Sequence, residues 1–185
     1  GNAFWKPGEP GCGRRKPTDI YGVMYHWTGG ANTFGCINTL RQRGLSVCFT
    51  IDHDGKVVRH TDTATTTTSH AKTEEHLLNS NFPAAYINKH FIRVEIAHKG
   101  FPPAFKNYPR DSYETTIHGR KVQVLAFTEA QKESAKQLTR HLAETYGFPV
   151  QVARDGFGAI YTGLVPAAKL MNHRGVLGHF QVSPG

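Results

Sequence analysis

The sequence predicts an α/β fold, a single domain with a central mixed β-sheet flanked by helices. Three observations predict it. Apolar runs of strand length at residues 21–26 and 91–97 alternate along the chain with segments of helical spacing, which marks a mixed domain. A hairpin pattern with His53-Asp54-Gly55 as its turn makes at least one strand pair antiparallel. The 185 residues contain no repeat and no linker-like stretch, and are long enough for one sizeable core.

Each element follows from its residues. Residues 1–19, with four glycines and three prolines, read as an N-terminal arm packed over the domain that fills residues 20–185. Residues 21–26 form a buried first strand. Asn32 or Thr33 can cap a short helix with Phe34, Ile37 and Leu40 on one face and Gly44 beyond its end. Val47, Phe49 and Ile51 alternate with Ser46, Cys48 and Thr50, a half-buried strand pattern, and residues 56–60 return as the second hairpin arm. A threonine-rich connection at residues 61–69 leads to His70. After the strand at 91–97, residues 99–127 read as irregular, with a small hairpin around His118-Gly119. Thr128 and Gln131 have capping-box spacing, and Ala135, Leu138, Leu142 and Tyr146 then share one helical face until Gly147 and Pro149 end it. Residues 150–175 are loop-rich, with a short helix at 165–171.

Charge and composition narrow the function. Hydrophobic residues make up 38% and charged residues 19%, which excludes a disordered chain, and no apolar run reaches the roughly 18–20 residues of a membrane span. The net charge of +8 biases the surface towards polyanions. Specific nucleic-acid binding is not expected, because a recognition helix, a zinc-finger pattern and an aromatic-basic strand motif are all missing. Cys12, Cys36 and Cys48 lack CxxC spacing, so they read as small buried hydrophobes, with one disulfide possible among them.

Three residues carry the chemical signal. His26 ends the first apolar strand and precedes Gly29-Gly30, so its ring stands at an open sheet edge. His179 lies between a glycine and a Ser-Pro-Gly turn. Imidazoles held at strand ends suit a zinc site, which takes three protein ligands and leaves a fourth position for water. Glu95 interrupts Ile92-Arg93-Val94-Glu95-Ile96, and a carboxylate in such a strand is expensive to bury unless it is paired or put to work. Two uses remain open for it: an ordinary pair with Arg93 on a solvated face, or a general base beside an activated water.

These residues, in this order, resemble the zinc-dependent N-acetylmuramoyl-L-alanine amidases, whose fold is shared by peptidoglycan recognition proteins and phage T7 lysozyme. The resemblance runs from about Tyr21 to Gly185. It rests on His26-Trp27-Thr28, the hairpin at residues 45–57, Ser69-His70-Ala71, the strand with Glu95, the long helix, and Gly178-His179 followed by Pro184-Gly185. It implies Zn2+ as cofactor with His26 and His179 as ligands, Glu95 as catalytic base, and His70 and Trp27 at the substrate cleft. The implied partner is peptidoglycan or a muropeptide, met by a monomer at the cell envelope, outside the cell or, in phage lysis or muropeptide recycling, in the cytoplasm. The family's other branch uses a hairpin tyrosine; Val47 stands at that position here, which with Glu95 implies the glutamate-type branch. Ser69 replaces the family's usual tryptophan. The family also places a lysine and a third ligand, aspartate or cysteine, shortly after the Pro-Gly, so both are expected beyond Gly185. The alternative implied by the same fold is a module that binds peptidoglycan without cutting it.

Overall fold

The computed structural model describes residues 5–30, 32–69, 85–100 and 111–183. In chain order the elements are β1 (Cys12–Arg14), β2 (Gly22–Trp27), α1 (Thr33–Gln42), β3 (Phe49–Ile51), β4 (Val57–Arg59) and β5 (Thr66–Thr68). They continue with α2 (Tyr86–His90), β6 (Phe91–Ile96), β7 (Ser112–Ile117), β8 (Arg120–Leu125), α3 (Glu129–Tyr146), α4 (Ala167–Asn172) and β9 (Gly175–Gly178). Among the described residues no helix is long and apolar enough to cross a membrane.

The central sheet has the order β4-β3-β6-β2-β9. Strands β3, β6, β2 and β9 run parallel, and only the edge strand β4 is antiparallel, so the sheet is mixed as expected. Strand β6 is at its centre, which is why all six of its residues are buried. Gly22 and Gly175 face each other across β2 and β9, so close that a Cβ on Gly22 would lie 1.9 Å from the Gly175 carbonyl oxygen. Only glycine lets these two strands start side by side.

Helix α3 closes one face of the sheet. Its capping box is present: Thr128 Oγ1 accepts from Gln131 N at 3.0 Å, and Gln131 Oε1 accepts from Thr128 N at 3.1 Å. The periodic face then packs Leu138 and Leu142, flanked by Ala135 and Tyr146, against Val23, Phe49, Ile51, Ile92 and Val94. Gly147, at φ +73°, ends the helix in the left-handed conformation foreseen for it.

Four details depart from the sequence reading. The segment around β3 is buried on both faces: Phe49 and Ile51 pack in the cluster under α3, and Thr50 on the other face meets the buried His60 at 2.9 Å. The arm is more than loop: β1 pairs antiparallel with β5, and Trp5 is buried against α1 and Val47. The pairing uses the threonine-rich connection, whose Thr66 and Thr68 are buried. Helix α1 turns Cys36 and Leu40 inwards and leaves Phe34 75% exposed, so its buried face is rotated from the one predicted. Residues 112–125, read as mostly irregular, form the regular β7–β8 hairpin around the expected His118-Gly119 turn.

Candidate active site

The parallel strands bring the three candidate residues to one edge. Glu95 lies between Thr50 and His26 in the sheet register, all on the face away from α3. Tyr25 pairs with Gly178, so His179, the next residue, emerges beside His26 just past the end of β9. The carboxyl ends of parallel strands are where open α/β sheets place their ligands.

The geometry is tight. His26 Nδ1 is 2.9 Å from Glu95 Oε1, and the His26 and His179 ring centroids are 4.4 Å apart at 64°. A carboxylate only accepts hydrogen bonds, so His26 carries its proton on Nδ1 and keeps the Nε2 lone pair for another partner. Glu95 is 2% exposed, against 30% for the His26 side chain. Glu95 and Arg93 are therefore buried, which removes the solvated-face reading; Arg93 Nη2 donates to Asn88 Oδ1.

The backbone around these groups is well held. The Val182 and Ser183 amides both donate to the His179 carbonyl at 3.0 Å. The buried Gln181 accepts from Gly178 N at 2.9 Å and donates to Tyr161 O at 2.8 Å, fixing the turn that carries His179. On the other strand, Thr28 N donates to Ile96 O at 3.0 Å, and Gly30 N donates to Thr28 Oγ1 at 3.0 Å. Preorganisation of this kind keeps catalytic side chains within narrow positional limits.

A cavity of about 330 Å³ opens beside Glu95. His26 and Glu95 line it on the sheet side, Gly35, Cys36 and Thr39 line it from α1, and Arg43 lines it from the cap that follows α1. Sequence reasoning missed the α1 wall. Gly35, a side-chain-free position at the start of a short helix, was the available signal. Burial, with a smaller push from the Glu95 charge, raises the Cys36 thiol to about 12, so it is no thiolate nucleophile at neutral pH. All three cysteines are free thiols. The Trp27 ring stands 6.2 Å from that of His26, nearly parallel to it, and 6.2 Å from that of His98. Val47 is wholly buried with Trp5, Cys36 and Leu40, an apolar filler where a tyrosine would offer a hydroxyl. His70, the intended cleft residue, lies outside the described residues.

Two imidazoles at this spacing have the donor chemistry of two positions in a tetrahedral zinc site. Among the described residues, no group of three or more His, Cys, Asp or Glu has a metal-holding arrangement.

Comparison with known proteins supplies context. The family described as N-acetylmuramoyl-L-alanine amidase matches residues 16–185. No curated protein sequence matches. Among solved structures, the N-acetylmuramoyl-L-alanine amidase LysC from Clostridium intestinale URNW shares 16% identity at a TM-score of 0.52, covering 100% of this chain and 83% of that one. The endolysin amidase LysCS from the same organism shares 16% identity at 0.51, covering 100% and 81%. AmiD from E. coli, complexed with anhydro-N-acetylmuramic acid-L-Ala-D-gamma-Glu-L-Lys, shares 14% identity at 0.47. That match covers 70% of this chain, which spans 45% of AmiD. The clostridial likeness shows a shared fold.

Proposed function

Because the chain belongs to the N-acetylmuramoyl-L-alanine amidase family, we propose that it hydrolyses the amide joining N-acetylmuramic acid to the L-alanine of a peptidoglycan stem peptide. The observation that carries this reading is the convergence of His26, Glu95 and His179 at one sheet edge, with a cavity opening beside them.

His26 and His179 would hold zinc, which when bound supplies a Lewis acid for the scissile carbonyl and lowers the pKa of water. Glu95 has two tasks. One carboxylate oxygen holds the His26 ring by its Nδ1–H, the arrangement that fixes the tautomer and orientation of a ligating imidazole. The carboxylate also takes the proton of the attacking water and passes it to the departing alanine nitrogen, so that the amine leaves neutral. Burial of Glu95 limits competition from bulk water for that proton. Trp27 and His70 remain proposed substrate contacts at the cleft rim.

Purified sacculi provide the test. The zinc-loaded protein is expected to release free stem peptides with new L-alanine amino termini, and Glu95→Ala to lower turnover by about 10²–10⁴-fold. An unchanged rate in that variant would remove Glu95 as the base. Retention on sacculi without cleavage by the loaded wild type would identify a binding module instead. Metal analysis of His26→Ala and His179→Ala is expected to show lost zinc, whatever their activity.

A further inference from the structure

The chain between α3 and α4 builds a feature that the chemistry above does not use. Val152 pairs with Val176 in parallel, and Val176 N donates to Gln151 O at 2.7 Å, so this chain follows β9 towards the carboxyl edge of the sheet. One step further on, Ala153 and Leu177 are buried in the same cluster. The chain then turns back as a hairpin. Arg154 bridges Ile160 antiparallel, Asp155 N donates to Ala159 O at 2.8 Å, and Tyr161 N donates to Ala153 O at 3.3 Å. The returning arm is tied to the turn that carries His179: Gln181 Nε2 donates to Tyr161 O, and Val165 N donates to Gln181 O, both at 2.8 Å. The hairpin tip, residues 155–159, therefore stands beyond the carboxyl end of β9, at the edge where His26, Glu95 and His179 converge. The cavity beside Glu95 opens on the other side of that edge, towards β2 and β6.

The tip is stiff and apolar. Asp155 Oδ1 accepts from both Phe157 N and Ala159 N at 2.9 Å, and Arg154 Nη1 donates to Gly158 O at 2.7 Å. Gly158 takes φ +86°, which favours glycine. This frame holds Phe157 fully exposed, with Ile160 half exposed on the returning arm. A large apolar ring kept in water on a rigid mount marks a contact surface, and a side chain with two torsions loses little freedom on binding. The hairpin's own charged groups are engaged within it, so what it offers a ligand is the ring face. A stem peptide would bring carboxylates and amides that need polar partners. A glycan strand presents the C–H faces of pyranose rings, which stack on an aromatic ring and leave the sugar hydroxyls in water. We propose that the 154–160 hairpin is a glycan-binding arm, with Phe157 stacking on a sugar of the strand beyond the muramoyl residue being cleaved. The chain then acts on polymeric glycan strands in preference to free muropeptides. This rests on the amidase reading above and names the form of substrate that reading leaves open.

Two substrates test it: soluble, uncrosslinked glycan chains carrying stem peptides, and a single muramoyl peptide with the same stem. Phe157→Ala is expected to raise KM for the chains by about tenfold with kcat within about twofold, the loss expected when an apolar ring no longer leaves water. For the single muramoyl peptide both constants are expected to stay within about twofold. Phe157→Trp should keep the preference and Phe157→Leu should lose most of it, which separates stacking from apolarity alone. Equal losses on both substrates, or none on either, would overturn the assignment. If the wild type cleaves neither, the amidase reading fails separately. Calorimetric binding of peptide-free glycan chains to the wild type and Phe157→Ala then reads the arm directly, and equal affinity overturns the proposal. Vesicles of phosphatidylglycerol and phosphatidylcholine supply the last arm of the test. Phe157-dependent binding to them, with none to the chains, would make the hairpin a membrane anchor and overturn the glycan assignment.

Discussion

The two faces of the central sheet are buried to similar depth by different means. Towards α3 the strands present Val23, Tyr25, Phe49, Ile51, Ile92 and Val94, an apolar layer with its one hydroxyl satisfied: Tyr25 Oη donates to Ala135 O at 2.9 Å. Away from α3 the same strands present Thr50, Arg93 and Glu95, each 2% exposed or less, with His26 at the edge. Apolar burial stabilises a sheet at roughly 25 cal/mol per Å², whereas a buried charge costs free energy unless it is held by partners. The difference teaches that one face serves the fold alone, while the other keeps an apolar cluster around Met24, Phe91 and Leu177 and adds the chemical groups beside it. Alternation along β2 and β6 lets six residues serve both.

The largest effects should separate the faces. Glu95→Gln is expected to leave a folded protein whose turnover falls by about 10²–10⁴-fold. Leu142→Ala, on the α3 face, is expected to cost about 3 kcal/mol in urea unfolding while kcat of the folded fraction stays within twofold. A Leu142 variant that loses catalysis without unfolding would break the division.

The polar face should also make stability pH-dependent. His60 is buried, its Nε2 is 2.9 Å from Thr50 Oγ1, and burial, assisted by the Arg41 charge, lowers its pKa to about 4. The unfolded chain binds a proton near pH 6.5 that the folded protein refuses until about pH 4. Stability is therefore full above pH 6.5 and falls as pH drops through that window, by on the order of 3 kcal/mol for this group. Burial lowers His90 and His173 as well, which adds to the slope. Urea midpoints between pH 7.5 and 4.5 should fall less steeply for His60→Gln than for the wild type. Equal slopes would mean that His60 already takes up its proton in the folded state.

The apolar face was the more legible in the sequence, for a physical reason. Leu138, Leu142 and Tyr146 repeat at helical spacing, and the strands they cover are apolar, so pattern and environment agree. Glu95 and His26 were legible by contradiction, as polar groups in apolar strands. The α1 wall was not legible, because a ten-residue helix carries too short a pattern to fix its rotation. Phe34 looked like a core residue, yet the helix packs on Cys36 and Leu40. The pairing of β1 with β5 was equally hidden, since its buried threonines break the apolar alternation that announces a strand.

The smallest effect expected is also the one that joins the two faces. The α3 cap reaches beyond its own helix: Thr128 Oγ1 donates to His53 O at 2.8 Å, in the β3–β4 turn, and Gln131 Nε2 donates to Ala97 O at 2.7 Å, two residues after Glu95. The helix that closes the apolar face thus also ties down the end of the strand that carries the acid. Thr128→Ala removes the cap and the His53 bond but leaves the one to Ala97, so a loss of about 1–2 kcal/mol in urea unfolding is expected, with kcat unchanged. Gln131→Met keeps the side chain's length and removes the Ala97 bond, so it should in addition lower kcat severalfold by letting Glu95 shift, because small displacements of a catalytic group are costly. If both variants lose stability and neither loses rate, the cap serves the fold alone and the two faces are less coupled than this contact indicates.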